Sequence, residues 1–72
     1  MSNKLRVKIG RLIREEREKQ GLSQQKFALQ AGIDRTYLSD VENGLKNVSI
    51  DWIEKVAKAL NIPIEKFLKK ID

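Results

Sequence analysis

A short polar face is the part of this sequence best suited to binding a ligand. Over residues 34–43, a helical projection at about 100° per residue places four polar side chains on one side: Arg35, Thr36, Ser39 and Asn43. Hydrogen-bonding groups at this spacing suit a helix that lies in the major groove of DNA. An ordinary solvated helix face has the same composition, so the surrounding pattern is needed to choose between the two interpretations.

Two short helices joined by a tight turn at residues 31–33 are predicted to hold this face, within residues 22–43. Ser23 and Asp34 are the expected N-caps, because their side-chain oxygens can accept backbone N–H groups that the first helical turn leaves without partners. Gly32 can adopt the left-handed conformation that ends the first helix. Two capped helices around a three-residue turn that contains glycine predict a helix-turn-helix.

The same local pattern occurs at three helix starts, the third of them capped by Ser49. Apolar residues at the N′ and N4 positions form a hydrophobic staple, which fixes the angle at which the chain enters a helix. The three apolar pairs are Leu22 with Phe27, Ile33 with Leu38, and Val48 with Ile53. The repetition indicates that several helices begin with similar geometry.

A first helix is predicted over Lys4–Gln20, where Leu5, Ile9, Leu12 and Ile13 form one apolar stripe. The opposite face is expected to be solvated, and it carries Arg11, Arg14, Glu15, Arg17, Glu18 and Lys19. The chain has no His and no Cys, and its carboxylates lie beside basic residues. It therefore lacks the usual groups for acid–base, nucleophilic or metal chemistry. We expect no enzymatic activity, no cofactor and no metal site.

A fourth helix is predicted from about Ile50 to Leu60, and a fifth from Pro63, which suits a first helical position. Because no stretch alternates like a strand, we expect an all-α, compact five-helix bundle with one domain over residues 1–72. The last two helices, about residues 49–71, hold more apolar side chains than one face can bury. A well-filled core explains this surplus, and so does a homodimer interface. We expect the interface, formed by Ile50, Trp52, Ile53, Ile64, Phe67 and Ile71.

Charge and composition narrow the class of partner. The formal net charge of +5 in 72 residues favours an anionic partner, with nucleic acid first, although solubility alone also explains such a charge. No apolar run approaches the roughly 18 residues of a membrane span, and the N-terminus does not resemble a signal peptide. We therefore expect a cytoplasmic protein that does not interact with a membrane.

From about Leu5 to Leu68, the chain resembles the phage-repressor (Cro-like) family of helix-turn-helix DNA-binding proteins. The matching positions are Gly21, Leu22, Ser23, Gln24, Ala28, Gly32, Ile33, Tyr37, Leu38, Ser39, Glu42 and Gly44, followed by the helix at residues 49–60. Within this family, residues 34–39 and 46–49 are similar to the small controller proteins of bacterial restriction–modification systems. The resemblance implies a lambda-repressor-like fold and a sequence-specific transcriptional regulator that controls its own operon.

The resemblance also implies roles for individual residues. Those expected to read DNA bases are Arg35, Thr36, Ser39 and Asn43, and those expected to contact the DNA backbone are Gln24, Tyr37, Lys46 and Asn47. Controllers often carry Arg at the position of Lys46, where the point charge of Lys favours phosphate over base contact. For Arg35, an ion pair with Asp34 or Asp40 is the alternative.

The expected partners are a near-palindromic operator in double-stranded DNA and a second copy of the chain. Two dimers on adjacent sites are a further arrangement, and the expected location is the cytoplasmic nucleoid. Two alternatives of the same class are a phage or mobile-element repressor and an antitoxin. An alternative of a different class is a helical protein-interaction module, which would bind no duplex DNA in a salt-dependent way.

Overall fold

Five helices follow one another in the computed structural model, which describes residues 2–71. They are α1 (Asn3–Lys19), α2 (Gln24–Ala31), α3 (Arg35–Glu42), α4 (Ile50–Ala59) and α5 (Ile64–Lys69). No strand occurs in this part of the chain, and none of its helices is long and apolar enough to cross a membrane. The prediction of an all-α, five-helix fold is confirmed.

Side-chain caps begin the helices where the sequence predicts them. The cap oxygens accept backbone N–H groups three residues ahead: Ser23 Oγ from Lys26 at 3.0 Å, Asp34 Oδ2 from Tyr37 at 2.8 Å, and Ser49 Oγ from Trp52 at 3.1 Å. Gly32 ends α2 in the left-handed conformation, with φ of 69°. Pro63 differs by one position from the prediction, because it is the N-cap of α5 (ψ 139°) and Ile64 is the first helical residue.

The helices enclose one apolar core. Its largest fully buried side chains are Phe27, Phe67, Ile13, Leu38, Leu60, Val41 and Val56. The N′ residues of the three predicted staples, Leu22, Ile33 and Val48, are partly buried and pack against this core. Each staple therefore connects a helix start to the interior.

Helices α1 and α3 cross at very short range. Gly10 is buried at the crossing, and a Cβ atom placed on it would lie 2.9 Å from the carbonyl oxygen of Glu42. No larger residue fits there without displacing backbone. This contact brings the C-terminal end of α3 against α1.

Two of the predicted dimer residues lie in the core of their own chain. Phe67 has no exposed surface and Ile53 is only 4% exposed. Side chains with so little accessible surface offer a second subunit almost no direct contact. Ile50 is 59% exposed, while Trp52, Ile64 and Ile71 are partly exposed at the edge of the core. These four residues remain available for an interface.

Candidate nucleic-acid interface

Helix α3 has one sealed side and one open side. Leu38 and Val41 are buried in the core, so the rotation of the helix about its axis is fixed. Arg35 and Thr36, the first two residues of α3, are exposed. An open polar face at the N-terminal end of a short, clamped helix is the arrangement that a recognition helix needs to reach base edges.

The other two residues of the predicted base-reading set continue the open side. Ser39 is half-buried in the middle of α3, and Asn43 is the exposed C-cap. Arg35 forms no ion pair within residues 2–71, so the alternative in which Asp34 or Asp40 holds its guanidinium is not observed. Its donors are therefore free to bind a partner.

The loop after α3 is tied back to the helix by Tyr37. The Tyr37 hydroxyl donates to the backbone oxygen of Asn47 at 2.9 Å, and its ring meets Trp52 edge-on with centroids 5.2 Å apart. Lys46 and Asn47 are exposed on this loop. This hydrogen bond uses the single hydroxyl proton of Tyr37 inside the chain and holds the loop against α3. The contact of Tyr37 with the DNA backbone stays a prediction.

Gln24 lies at the first position of α2, capped by Ser23. Its Nε2 donates to Glu42 Oε1 at 2.9 Å, which holds the amide beside the C-terminal end of α3. An amide nitrogen carries two protons, so the second remains available to a phosphate oxygen. The structure thus brings the predicted backbone contact Gln24 next to the predicted base-reading helix.

Glu42 is the centre of this arrangement. Its side chain is fully buried, and it accepts from Arg17 Nε at 2.8 Å and from Arg17 Nη2 at 2.9 Å. Arg17 Nη1 also donates to the carbonyl oxygen of Leu22 at 2.7 Å, in the segment that leads into α2. One ion pair therefore joins α1, the start of α2 and the end of α3.

Opposing effects act on the pKa of Glu42. Burial alone raises it, but hydrogen bonds from Arg17, Gln24 and Arg14, together with the positive charge of Arg17, leave the pKa below its ordinary value. The pKa of Arg17 is raised by its hydrogen bond to Glu42, against the opposite effect of burial. Both groups are therefore held in their charged forms.

The helical pattern of α1 predicts Arg17 on the solvated face, whereas in the structure Arg17 is only 7% exposed and forms this ion pair. The spacing Ile9, Ile13, Arg17 continues the buried stripe by one more helical turn. This spacing indicates that Arg17 is buried. It does not identify Glu42 as the partner, because the two residues are 25 positions apart in the chain.

Known proteins share both the sequence pattern and the fold. The model of the family described as helix-turn-helix matches residues 13–67. Control protein C.BamHI of Bacillus amyloliquefaciens is 44% identical over 63 residues, which cover 86% of this chain and 78% of that protein.

Solved structures give the same result. The restriction-modification controller protein C.AhdI from Aeromonas hydrophila superposes with a TM-score of 0.81 at 44% identity, covering 86% of this chain and 94% of that one. The controller protein C.Esp1396I, crystallised as a tetramer in complex with its natural 35 base-pair operator, gives a TM-score of 0.80 at 30% identity, with 93% of both chains covered.

Proposed function

This chain belongs to the helix-turn-helix family, and we propose that it is a homodimeric, sequence-specific DNA-binding transcriptional regulator of the restriction–modification controller type. One observation carries the proposal: α3 buries Leu38 and Val41 in the core while Arg35 and Thr36 remain exposed, and Arg35 forms no ion pair with any other residue of the described range 2–71. A helix held in this way can present a fixed set of donors to base edges. The net charge of +5 favours approach to the DNA backbone.

Base reading is assigned to the open side of α3. Arg35 suits guanine, because its guanidinium can donate two parallel hydrogen bonds to O6 and N7. Thr36 can pack its methyl group on the methyl group of thymine. Ser39 and Asn43 lie farther along the same helix and reach neighbouring bases or phosphates. The exposure of Arg35, Thr36 and Asn43 supports these roles.

Backbone contacts are assigned to residues that flank α3. Gln24 offers its backbone N–H and a free amide proton at the start of α2, where the helix dipole also favours an anion. Lys46 and Asn47 approach phosphate from the loop after α3, and Tyr37 holds that loop in place. Such contacts fix the register of the protein on DNA and supply most of the salt-dependent affinity.

A two-fold dimer presents two copies of α3 about 34 Å apart, which matches successive major grooves and a near-palindromic operator. We assign the subunit interface to exposed and partly exposed apolar residues, namely Ile50 and Trp52 on α4, Ile64 on α5, and Ile71 just after α5. The tetrameric operator complex of C.Esp1396I supports a second arrangement, with two dimers on adjacent sites. Residues 1–72 act as one domain in this proposal.

The controller resemblance gives this binding a regulatory consequence. The dimer binds near its own promoter and activates transcription at low occupancy. It then represses transcription when further dimers cover the polymerase site, so the endonuclease appears after the methyltransferase. This role places the protein at the nucleoid, in the cytoplasm, and requires no catalytic activity of its own.

Footprinting of the protein on the DNA upstream of its own gene tests the proposal. We expect protection of a near-palindromic site whose half-sites are one helical turn apart, with binding that weakens steeply as salt rises. A protected site whose neighbouring genes encode phage or toxin proteins would assign the chain to a different regulator. An absence of salt-dependent duplex binding would leave the protein-interaction module as the explanation.

A further inference from the structure

Arg14 lies on α1 beside the predicted DNA-binding surface. Its Nε is 3.4 Å from Glu42 Oε1 and its Nη2 is 3.4 Å from Asn43 Oδ1. Both distances are at the long end of the hydrogen-bond range, so each contact is weak. The Arg14 side chain is 45% exposed, unlike that of Arg17. Arg14 is therefore a loosely held cation at the surface.

Arg14 and Arg17 share one carboxylate, that of Glu42. Glu42 already receives two short hydrogen bonds from Arg17, at 2.8 and 2.9 Å, and one from Gln24 at 2.9 Å. Two guanidinium groups thus face a single carboxylate, and the cluster carries a net charge of +1. Because Arg17 is buried and Arg14 is half-exposed, the excess positive charge is presented at Arg14.

The position of Arg14 links this excess charge to the DNA surface. One of its contacts is Asn43, at the C-terminal end of α3, and the other is the carboxylate that also holds Gln24. Arg14 therefore contacts Asn43 and shares a carboxylate with Gln24, and the proposed function gives both of these residues DNA contacts. We propose that Arg14 is an additional phosphate-binding residue, supplied by α1, and this inference depends on the proposed function.

Phosphate, rather than a base, fits the geometry. Arg14 belongs to α1, whereas the open face assigned to base edges belongs to α3. A guanidinium can bind a phosphate with two parallel charge-assisted hydrogen bonds, which are much stronger than the two long contacts that it would release. Glu42 remains compensated by Arg17 and Gln24 when Arg14 moves, so little is lost within the protein.

Salt-dependent binding of Arg14→Ala to the footprinted duplex and to a random duplex tests the inference. The slope of log Kobs against log salt is negative, and each lost phosphate contact reduces its magnitude by about 0.9. A dimer that loses two contacts should therefore show a slope smaller in magnitude by about 1.8. The affinity advantage of the wild type over the variant should then shrink by about 12-fold between roughly 50 and 200 mM salt. The change in slope should be the same on both duplexes, because phosphate contacts carry no sequence information.

Two further variants separate charge from structure. Arg14→Lys should retain the slope, since an ammonium group also binds phosphate. Arg11→Ala removes the same charge from an exposed position on α1, beside Lys8 and Leu12 and away from Glu42, and should leave the slope unchanged. Thermal unfolding of each variant shows whether the fold is retained.

The outcomes distinguish the two proposals. Equal slopes for the wild type and Arg14→Ala would overturn the phosphate contact while leaving DNA binding intact. A weaker Arg14→Ala with an unchanged slope, or an equal change in slope for Arg11→Ala, would also overturn it. A wild-type protein without salt-dependent duplex binding would overturn both proposals.

Discussion

Arg17 and Glu42 form a buried two-point ion pair between α1 and the last residue of α3. The two nitrogen–oxygen distances are 2.8 and 2.9 Å, and Gln24 donates to the same carboxylate. Rotation or translation of α3 would break parallel hydrogen bonds in a site that excludes water. The pair therefore fixes the end of the proposed recognition helix, while Leu38 and Val41 fix its rotation.

Removing Glu42 should strongly destabilise the fold. In Glu42→Ala the Arg17 guanidinium stays buried without its partner, and the expected loss is about 3–5 kcal/mol in the free energy of unfolding. Glu42→Gln keeps an acceptor for Arg17 and should lose less. Urea unfolding measures both, with Glu54→Ala, at an exposed position on α4, as a control expected to stay within about 0.5 kcal/mol of the wild type. A loss below about 1 kcal/mol for Glu42→Ala would contradict this role.

Protonation of Glu42 should also make the folded protein less stable in acid. The pKa of Glu42 is lower in the folded state than in the unfolded state, where it is about 4.3. The unfolded chain therefore binds more protons as the pH falls below that value, and the stabilisation present at neutral pH is lost toward the folded pKa. Urea unfolding over this range should show a smaller acid loss in Glu42→Gln than in the wild type. If the free energy of unfolding of the wild type and of Glu42→Gln changed equally with pH, Glu42 would be excluded as a source of the pH dependence.

Arg35→Ala should weaken binding to the operator by about 1–3 kcal/mol and relax the choice of one base pair in each half-site. The reason is the loss of two parallel donors to a guanine edge. Competition binding against single-base operator variants measures both effects. As a control, Lys66→Ala removes a charge from an exposed position on α5 and should leave the base preference unchanged. An equal loss on random DNA would mean that Arg35 contacts only phosphate.

Ile50→Lys should weaken dimerisation without unfolding the subunit, because Ile50 is 59% exposed and a charge there is buried only in the dimer. Sedimentation equilibrium measures the change. Leu29→Lys is the matched control, since Leu29 is 82% exposed on α2, outside the proposed interface. A wild-type chain that remains monomeric at high micromolar concentration would contradict the dimer.

Phe67→Ala should behave differently from Ile50→Lys. Phe67 has no exposed surface, so its truncation leaves a cavity in the subunit core and costs about 3–5 kcal/mol. Thermal or urea unfolding of the variant measures this loss directly. Unchanged stability with weaker dimerisation would return Phe67 to the interface.

The five helices and the polar side of α3 follow from local patterns in the sequence. Caps at Ser23, Asp34 and Ser49 depend on hydrogen bonds to residues three positions ahead, and the left-handed turn at Gly32 depends on one residue. The periodicity of apolar residues then shows which side of each helix is buried. These interactions are local, so their patterns can be read in the order of the chain.

How the helices support one another depends on contacts between residues that are distant in the chain. Arg17 and Glu42 are 25 residues apart, and they meet because α1 and α3 cross closely at Gly10. The hydrogen bond from the Tyr37 hydroxyl to Asn47 and the burial of Phe67 also depend on how distant parts of the chain pack. The type of a charged or apolar residue does not show whether it lies in a core, an ion pair or an interface. Its role depends on which distant side chain the fold brings within a few ångströms.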